Sequence, residues 1–193
     1  ELNAVTDNPL LFCEDEAVIS GGNFHGEPMA LPFDFLGIAC AELADVSERR
    51  IERMVNAALS NGLTPFLTTN GGVNSGFMIV QYSAASMVSE NKVLAHPASV
   101  DSIPSSANQE DHVSMGTTAA RKARMILDNS QKVVGIELLA AAQALWLRGE
   151  ALLAPATAAV YQKIRQTVPP VDTDVVMYPQ ICLLYTSDAA DDR

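Results

Sequence analysis

The chain is poor in positive charge. Its 12 Lys and Arg are outnumbered by 23 Asp and Glu, which gives a formal net charge of −11 over 193 residues. The basic residues are scattered, whereas nucleic acids and anionic membrane surfaces are bound by clustered Lys and Arg. The composition therefore argues against both of these partners and favours a small-molecule ligand.

Cysteine is also scarce. The three present, Cys13, Cys40 and Cys182, show no CxxC spacing, so neither a zinc site nor a disulfide framework is predicted. No HxxxH or HxxE pairing joins the three histidines, and we expect no metal site. Reduced thiols are typical of a cytoplasmic protein.

Long uninterrupted apolar runs are missing as well. No window reaches the roughly 18 apolar residues of a membrane span, and no signal-peptide pattern opens the chain. The chain nevertheless has 48% hydrophobic residues, enough for a real core. Because it opens without Met inside a patterned region, we interpret it as a fragment of a longer protein and expect that protein to be cytoplasmic.

The order of turn-forming and apolar segments predicts a mainly α protein. Residues 1–27 are rich in Asn, Asp, Gly and Pro around two short apolar runs, which favours a small hairpin or loop region. Pro28 is suited to the first turn of a helix that continues to Asn61-Gly62. A second helix is predicted over about 73–95, with His96-Pro97 as its stop.

A third helix is predicted from about His112 to Arg148, where the sequence contains no Pro. Residues 133–147 are apolar almost all round, so they require cover on every side. One chain of this size cannot supply that cover. The pattern therefore indicates a long-helix bundle over residues 28–166, assembled from several subunits and ending in a shorter helix around 151–166.

The C-terminal end divides into two parts. Residues 167–182 contain Pro169-Pro170 and are interpreted as a linker with the start of a C-terminal part. Residues 183–193 do not match the preceding periodicity. We interpret them as a non-native tail derived from adaptor or cloning sequence.

The strongest candidate site lies in residues 105–116, where amides, two carboxylates and an imidazole stand between a Pro-marked loop and an apolar helix. Polar groups in such a place must be hydrogen-bonded or functional, because burying one unpaired costs about 1–3 kcal/mol. Glu110 is singled out, since a carboxylate there can bind an N–H-bearing ring or move a proton. Asp111 and His112 are better explained as the N-cap and first residue of the third helix.

Two further polar runs have structural explanations. Residues 21–26 form a glycine-flanked turn before a helix, whose N–H groups could face a ligand carboxylate, although composition alone favours a tight turn. Residues 70–77 are predicted to form a loop that caps the second helix, with Asn74 or Ser75 as the N-cap.

In their order along the chain, these motifs resemble the C-terminal half of the histidine ammonia-lyases. The resemblance covers about residues 1–181. It is carried by residues 3–10, 20–25, 47–50, 70–77, 89–92 and 96–115. It implies the long-helix bundle of the aspartase and ammonia-lyase superfamily, a homotetramer with shared active sites, and elimination of ammonia from L-histidine to give trans-urocanate. It also implies the prosthetic group methylidene-imidazolone (MIO), which forms from an Ala-Ser-Gly triplet that this chain lacks. We therefore expect the fragment alone to be inactive.

The resemblance also implies roles for individual residues. Glu110 matches the family's active-site glutamate, which faces the substrate imidazole and assists proton transfer. Phe24 matches the aromatic side chain beside the MIO ring, and Asn8 an amide near the substrate carboxylate and MIO. Gln109 is a further candidate for substrate binding. Because phenylalanine and tyrosine ammonia-lyases carry an amide at the position of Glu110, the glutamate favours histidine as the substrate.

Other functions remain compatible with the sequence. A phenylalanine or tyrosine ammonia-lyase, or an aminomutase, would share the scaffold and MIO. A non-catalytic helical assembly module would need the polar loops only as caps and turns, and an upstream Ala-Ser-Gly triplet would argue against it. Aspartases and fumarases also have long bundled helices, but their Gly-Ser-Ser loop is not present here.

Overall fold

The computed structural model describes residues 1–22, 24–149 and 153–186. Over these ranges the chain is mainly helical, and a two-stranded antiparallel hairpin precedes the helices. The strands are β1 (Leu10–Phe12) and β2 (Ala17–Ile19). The helices are α1 (Glu27–Val55), α2 (Met78–Leu94), α3 (Gly116–Arg148), α4 (Pro155–Thr167) and α5 (Tyr178–Thr186). The predicted mainly α class with a small N-terminal hairpin is confirmed.

The third predicted helix begins later than expected. It starts at Gly116, so the predictions that Asp111 is its N-cap and that His112 opens it were wrong. The residues just before the helix are held in the loop by other contacts, since the Val113 N–H donates to Ser102 Oγ at 3.0 Å. This local bond competes with the first turn of a longer helix.

The second helix also starts late, at Met78, and neither Asn74 nor Ser75 is its N-cap. The carboxylate of Asp174 instead accepts the N–H groups of Ser75 and Gly76, both at 2.8 Å. Both N–H groups belong to the turn just before the helix, where a negative charge also interacts favourably with the helix dipole. The turn that leads into α2 is therefore held by a residue about 100 positions away along the chain.

The remaining boundaries are close to the prediction. α1 ends at Val55 rather than near Asn61-Gly62, where the backbone turns through left-handed φ values of 53° and 91°. The helix expected around 151–166 is α4, although residues 150–152 lie outside the described ranges. Residues 183–186, interpreted as non-native, continue α5, and 187–193 lie outside the described ranges. The origin of that segment stays a prediction.

The chain forms two compact units. The first contains residues 1–41 and 92–127, and the second contains the described residues of 42–91 and 128–193. In the first unit α1 and α3 approach closely at Gly37, where an added Cβ would lie 3.1 Å from Ile126 Cδ1. The lack of a side chain at Gly37 thus allows the two helices to pack closely at this point.

The second unit has the larger apolar core, built from α1, α2, α3 and the segment after α4. Its fully buried side chains include Ile51, Phe77, Val133, Leu139 and Val168. Glu48, a polar side chain buried in this unit, is paired with its neighbours. Gln81 Nε2, for example, donates to Glu48 Oε1 at 2.5 Å, and Arg49 also binds the Glu48 carboxylate. Pairing is required because an isolated charge would be costly to bury.

The chain leaves many large apolar side chains exposed. Val134 and Leu138 of α3, which lie in the stretch expected to be covered on all sides, are 43% and 40% exposed. Several residues of α1 are exposed as well: Leu31, Phe35, Leu36, Ile38, Leu43 and Val46. Large apolar side chains are thus exposed on both α1 and α3.

Candidate active site

The Glu110 loop, residues 95–115, connects α2 to α3 within the first unit. Its tip is closed by two backbone hydrogen bonds between Ser105 and Glu110, of 3.0 and 3.3 Å. Between them lies a single 3₁₀ turn, Ser106–Asn108, whose three residues have left-handed φ values of 52°, 55° and 70°. Such values cost non-glycine residues about 1–2 kcal/mol each, so the surrounding contacts must hold this turn in place.

The start of the loop is anchored by Asp34 of α1. Its carboxylate, which is buried, accepts the N–H groups of Ala98 at 2.9 Å and Ser99 at 2.8 Å. Burial would by itself raise the pKa of Asp34, but these N–H donors and the charge of Lys122 lower it below its ordinary value. Lys122 also donates to the carbonyl oxygen of His96. The loop therefore leaves α2 in a fixed direction.

The Glu110 side chain meets the glycine-flanked turn that precedes α1. Its Oε2 lies 2.8 Å from His25 Nε2, and the side chains of His25 and Glu110 are 28% and 34% exposed. Ser114, just before α3, donates from its hydroxyl to the His25 carbonyl oxygen. The ring of Phe24 contacts the His25 imidazole, with ring centroids 4.4 Å apart and planes inclined at 51°. An aromatic ring, an imidazole and a carboxylate are thus brought together.

The other two predicted residues are placed differently. Asn8 lies at the base of the hairpin, where its Oδ1 accepts the Ser20 hydroxyl at 2.8 Å and the Gly21 N–H at 3.2 Å. These bonds tie the two ends of the hairpin together. Gln109 is exposed at the loop tip beside Glu110. The structure therefore groups Phe24 with Glu110, and gives Asn8 a structural contact of its own.

Sequence reasoning missed His25 as a site residue. The residue stands in the turn that was noted for its glycines, next to Phe24, but 85 positions from its partner Glu110. Spacing along the chain could not show that contact. The one available signal was the polar side chain of His25 in a motif that had been explained by its backbone alone. Asn23, in the same motif, lies outside the described residues.

The described residues show neither a metal-binding cluster nor a membrane-spanning helix. There, no group of three or more His, Cys, Asp or Glu side chains could hold a metal ion. Within the same ranges, none of the helices has the length and apolar character needed to cross a bilayer. The three cysteines, all described, form no disulfide.

Comparison with known proteins identifies the family. The family model for aromatic amino acid lyase matches residues 1–166. The chain is 68% identical over 181 residues to a histidine ammonia-lyase of Symbiobacterium thermophilum, covering 94% of this chain and 36% of that protein. It is 64% identical over 182 residues to histidine ammonia-lyase 1 of Fusobacterium nucleatum, covering 94% of this chain and 35% of that protein. It thus spans about a third of the length of these relatives.

Solved structures show the same fold. The histidine ammonia-lyase from Trypanosoma cruzi superposes with a TM-score of 0.92 at 47% identity, covering 100% of this chain and 38% of that one. Tyrosine aminomutase from Streptomyces globisporus superposes with a TM-score of 0.90 at 41% identity, covering 96% of this chain and 35% of that one. The family match, the high identities and the shared fold agree: this chain belongs to the aromatic amino acid lyase family.

Proposed function

We propose that this chain is part of a histidine ammonia-lyase, which eliminates ammonia from L-histidine to give trans-urocanate. The observation that carries the proposal is the half-buried Glu110 carboxylate, which is held at an anchored loop and contacts the turn that bears Phe24. The relatives named histidine ammonia-lyase at 68% and 64% identity support the same assignment.

The chemistry explains why a carboxylate is needed there. The β-proton of histidine is only weakly acidic and is therefore hard to remove. The charge that develops on the substrate as this proton leaves must be stabilised by the enzyme. Glu110 can accept the N–H of the substrate imidazole and steady the ring in the transition state. An interaction that strengthens in the transition state lowers the barrier, whereas uniform binding does not.

The chain's residues also fit an MIO enzyme. When present, MIO supplies the electrophile for the departure of ammonia; its parent triplet is not part of this sequence. Phe24, whose ring is half-buried against His25, would form the aromatic wall beside MIO. Asn8 would bind near the substrate carboxylate and MIO, and Gln109 would contact the substrate.

We further propose that the complete enzyme is a cytoplasmic homotetramer with shared active sites. The exposed apolar residues of α1, together with Val134 and Leu138 of α3, support this assembly because they would be covered by neighbouring subunits. A homotetramer would also supply the cover that the predicted bundle requires.

An aminomutase is the second candidate. Tyrosine aminomutase shares the fold at a TM-score of 0.90, so the fold by itself does not separate the two reactions. The carboxylate at Glu110 favours the lyase that acts on histidine, because an N–H-bearing imidazole is the ring it can bind through an accepted hydrogen bond.

The test uses the full-length enzyme, expressed from the complete gene after the DNA that flanks the coding region of this chain has been sequenced. L-histidine, L-phenylalanine and L-tyrosine are offered in parallel, and urocanate, cinnamate, coumarate and β-amino acids are measured. Urocanate alone is the expected product. Cinnamate, coumarate or a β-amino acid would contradict the substrate assignment, and the absence of any turnover together with the absence of an Ala-Ser-Gly triplet would support an assembly module.

A further inference from the structure

We propose that His25 is a positioning residue for Glu110: its imidazole fixes the carboxylate so that one oxygen is left to receive the substrate ring. The inference rests on the proposed function, because it assigns His25 a role in the same site. It is carried by the 2.8 Å contact between His25 Nε2 and Glu110 Oε2.

Two contacts besides Glu110 restrain His25, one on its backbone and one on its ring. Ser114 donates to the His25 carbonyl oxygen, which fixes the backbone of the turn. The Phe24 ring contacts the imidazole at a centroid distance of 4.4 Å. The Nε2 atom of the ring contacts the Glu110 carboxylate, and the side chain of His25 is only 28% exposed. A ring restrained in this way can impose its own orientation on a more flexible partner.

Glu110 needs such a partner. A glutamate side chain turns about three bonds, and this one is 34% exposed, so without a fixed contact its carboxylate would sample several directions. Catalytic groups act best when they are held in the productive geometry before the substrate arrives. The contact with His25 restricts the rotation of the Glu110 side chain before the substrate binds. The entropy cost of ordering this side chain is therefore not added to the barrier of the reaction.

The contact also sets the direction of the hydrogen bonds. A carboxylate that is ionised can only accept a hydrogen bond, so the proposed direction in this pair is donation from His25 Nε2 to Glu110 Oε2. Oε1 receives no hydrogen bond from any residue in the described ranges. In the proposed arrangement it is the oxygen that accepts the N–H group of the substrate ring. A pair arranged in this way suits a substrate ring with an N–H donor, as in histidine, and offers nothing to a hydrocarbon ring.

The test compares variants of the full-length enzyme by their kcat and KM for L-histidine. His25→Leu removes the donor, and His25→Gln keeps an N–H donor on a side chain of similar reach. We expect His25→Leu to lower kcat about 10-fold or more with a smaller change in KM, and His25→Gln to restore most of the loss. His96→Leu is the matched control and should leave kcat unchanged. The His96 side chain is exposed, and the hydrogen bond with Lys122 involves the backbone carbonyl of His96, which the substitution retains.

A double-mutant cycle separates positioning from general damage to the fold. If His25 acts through Glu110, adding His25→Leu to Glu110→Gln should lower kcat by less than about 2-fold further. The inference is overturned if His25→Leu alone stays within 2-fold of the unaltered enzyme, or if it lowers kcat by the same factor in both backgrounds. Failure of the unaltered enzyme to form urocanate would instead contradict the proposed function itself.

Discussion

The side chain of Gln143 binds both backbone polar groups of Val171. Its Nε2 donates to the Val171 carbonyl oxygen at 2.7 Å, and its Oε1 accepts the Val171 N–H at 3.1 Å. Nε2 also donates to the Leu67 carbonyl oxygen at 3.3 Å, and Gln143 is fully buried. One amide of α3 therefore holds two separate loop segments against the core of the second unit.

Replacing Gln143 by Leu should destabilise the fold. Three buried backbone groups would lose their partner, and each unsatisfied group costs about 1–3 kcal/mol, so we expect a total loss of about 2–4 kcal/mol after partial rehydration. The measurement is the denaturant midpoint of the variant and of Gln166→Leu, a control at an exposed position of α4. Equal midpoints for the two variants would show that the Gln143 bonds contribute nothing.

Gly76→Ala tests the turn that leads into α2. Gly76 has a φ of +54°, and a Cβ placed there would lie 2.4 Å from the Phe66 carbonyl oxygen. The left-handed backbone costs a non-glycine residue about 1–3 kcal/mol, and the clash adds to it, so the loss should exceed about 2 kcal/mol. Gly71→Ala is the control from the same loop, because a Cβ there has nothing within 4 Å. Equal unfolding midpoints in the two alanine variants would refute this account of the turn.

The pH dependence of stability tests the anchor at Asp34. Because its pKa is lowered in the folded chain, the ionised carboxylate stabilises the fold fully above its ordinary pKa of about 4, and that stabilisation is lost as the pH falls through the lower folded value. Asp34→Asn should therefore be less stable at pH 7, and the difference from the unaltered protein should shrink below about pH 4.

Thermal unfolding of Asp34→Asn, followed between pH 7 and pH 3, checks this expectation. Asp45→Asn, at an exposed position of the same helix, is the control and should follow the unaltered protein throughout. A difference for Asp34→Asn that stays constant over the whole range would mean that the carboxylate charge does not stabilise the loop.

Helices α1 to α4 could be predicted from sequence because their cause is local, whereas the residues of α5 had been interpreted as linker and tail. Apolar periodicity and the placement of Pro and Gly indicated α1 to α4 and the hairpin. The starts of α2 and α3 could not be predicted, since the turn before α2 is held by Asp174 and the segment before α3 is held by Ser102. Both partners come from elsewhere in the chain, and no pattern around the helix start reveals them.

The same limit applies to the candidate site. Glu110 could be singled out because a carboxylate in an apolar setting requires a reason, and the resemblance then implied its role. Its contact with His25 joins residues 85 positions apart and depends on how the turn before α1 meets the Glu110 loop. The strained turn at Ser106–Asn108 was also hidden, because none of its residues is a glycine.

The most direct test of the central claim is the turnover of L-histidine by Glu110→Ala in the full-length enzyme, measured together with its oligomeric state. If Glu110 steadies the substrate imidazole in a histidine ammonia-lyase, kcat should fall by about 100-fold or more while the assembly is unchanged. Asp101→Ala, at an exposed position of the same loop, should retain activity. Near-normal urocanate formation by Glu110→Ala would contradict the account.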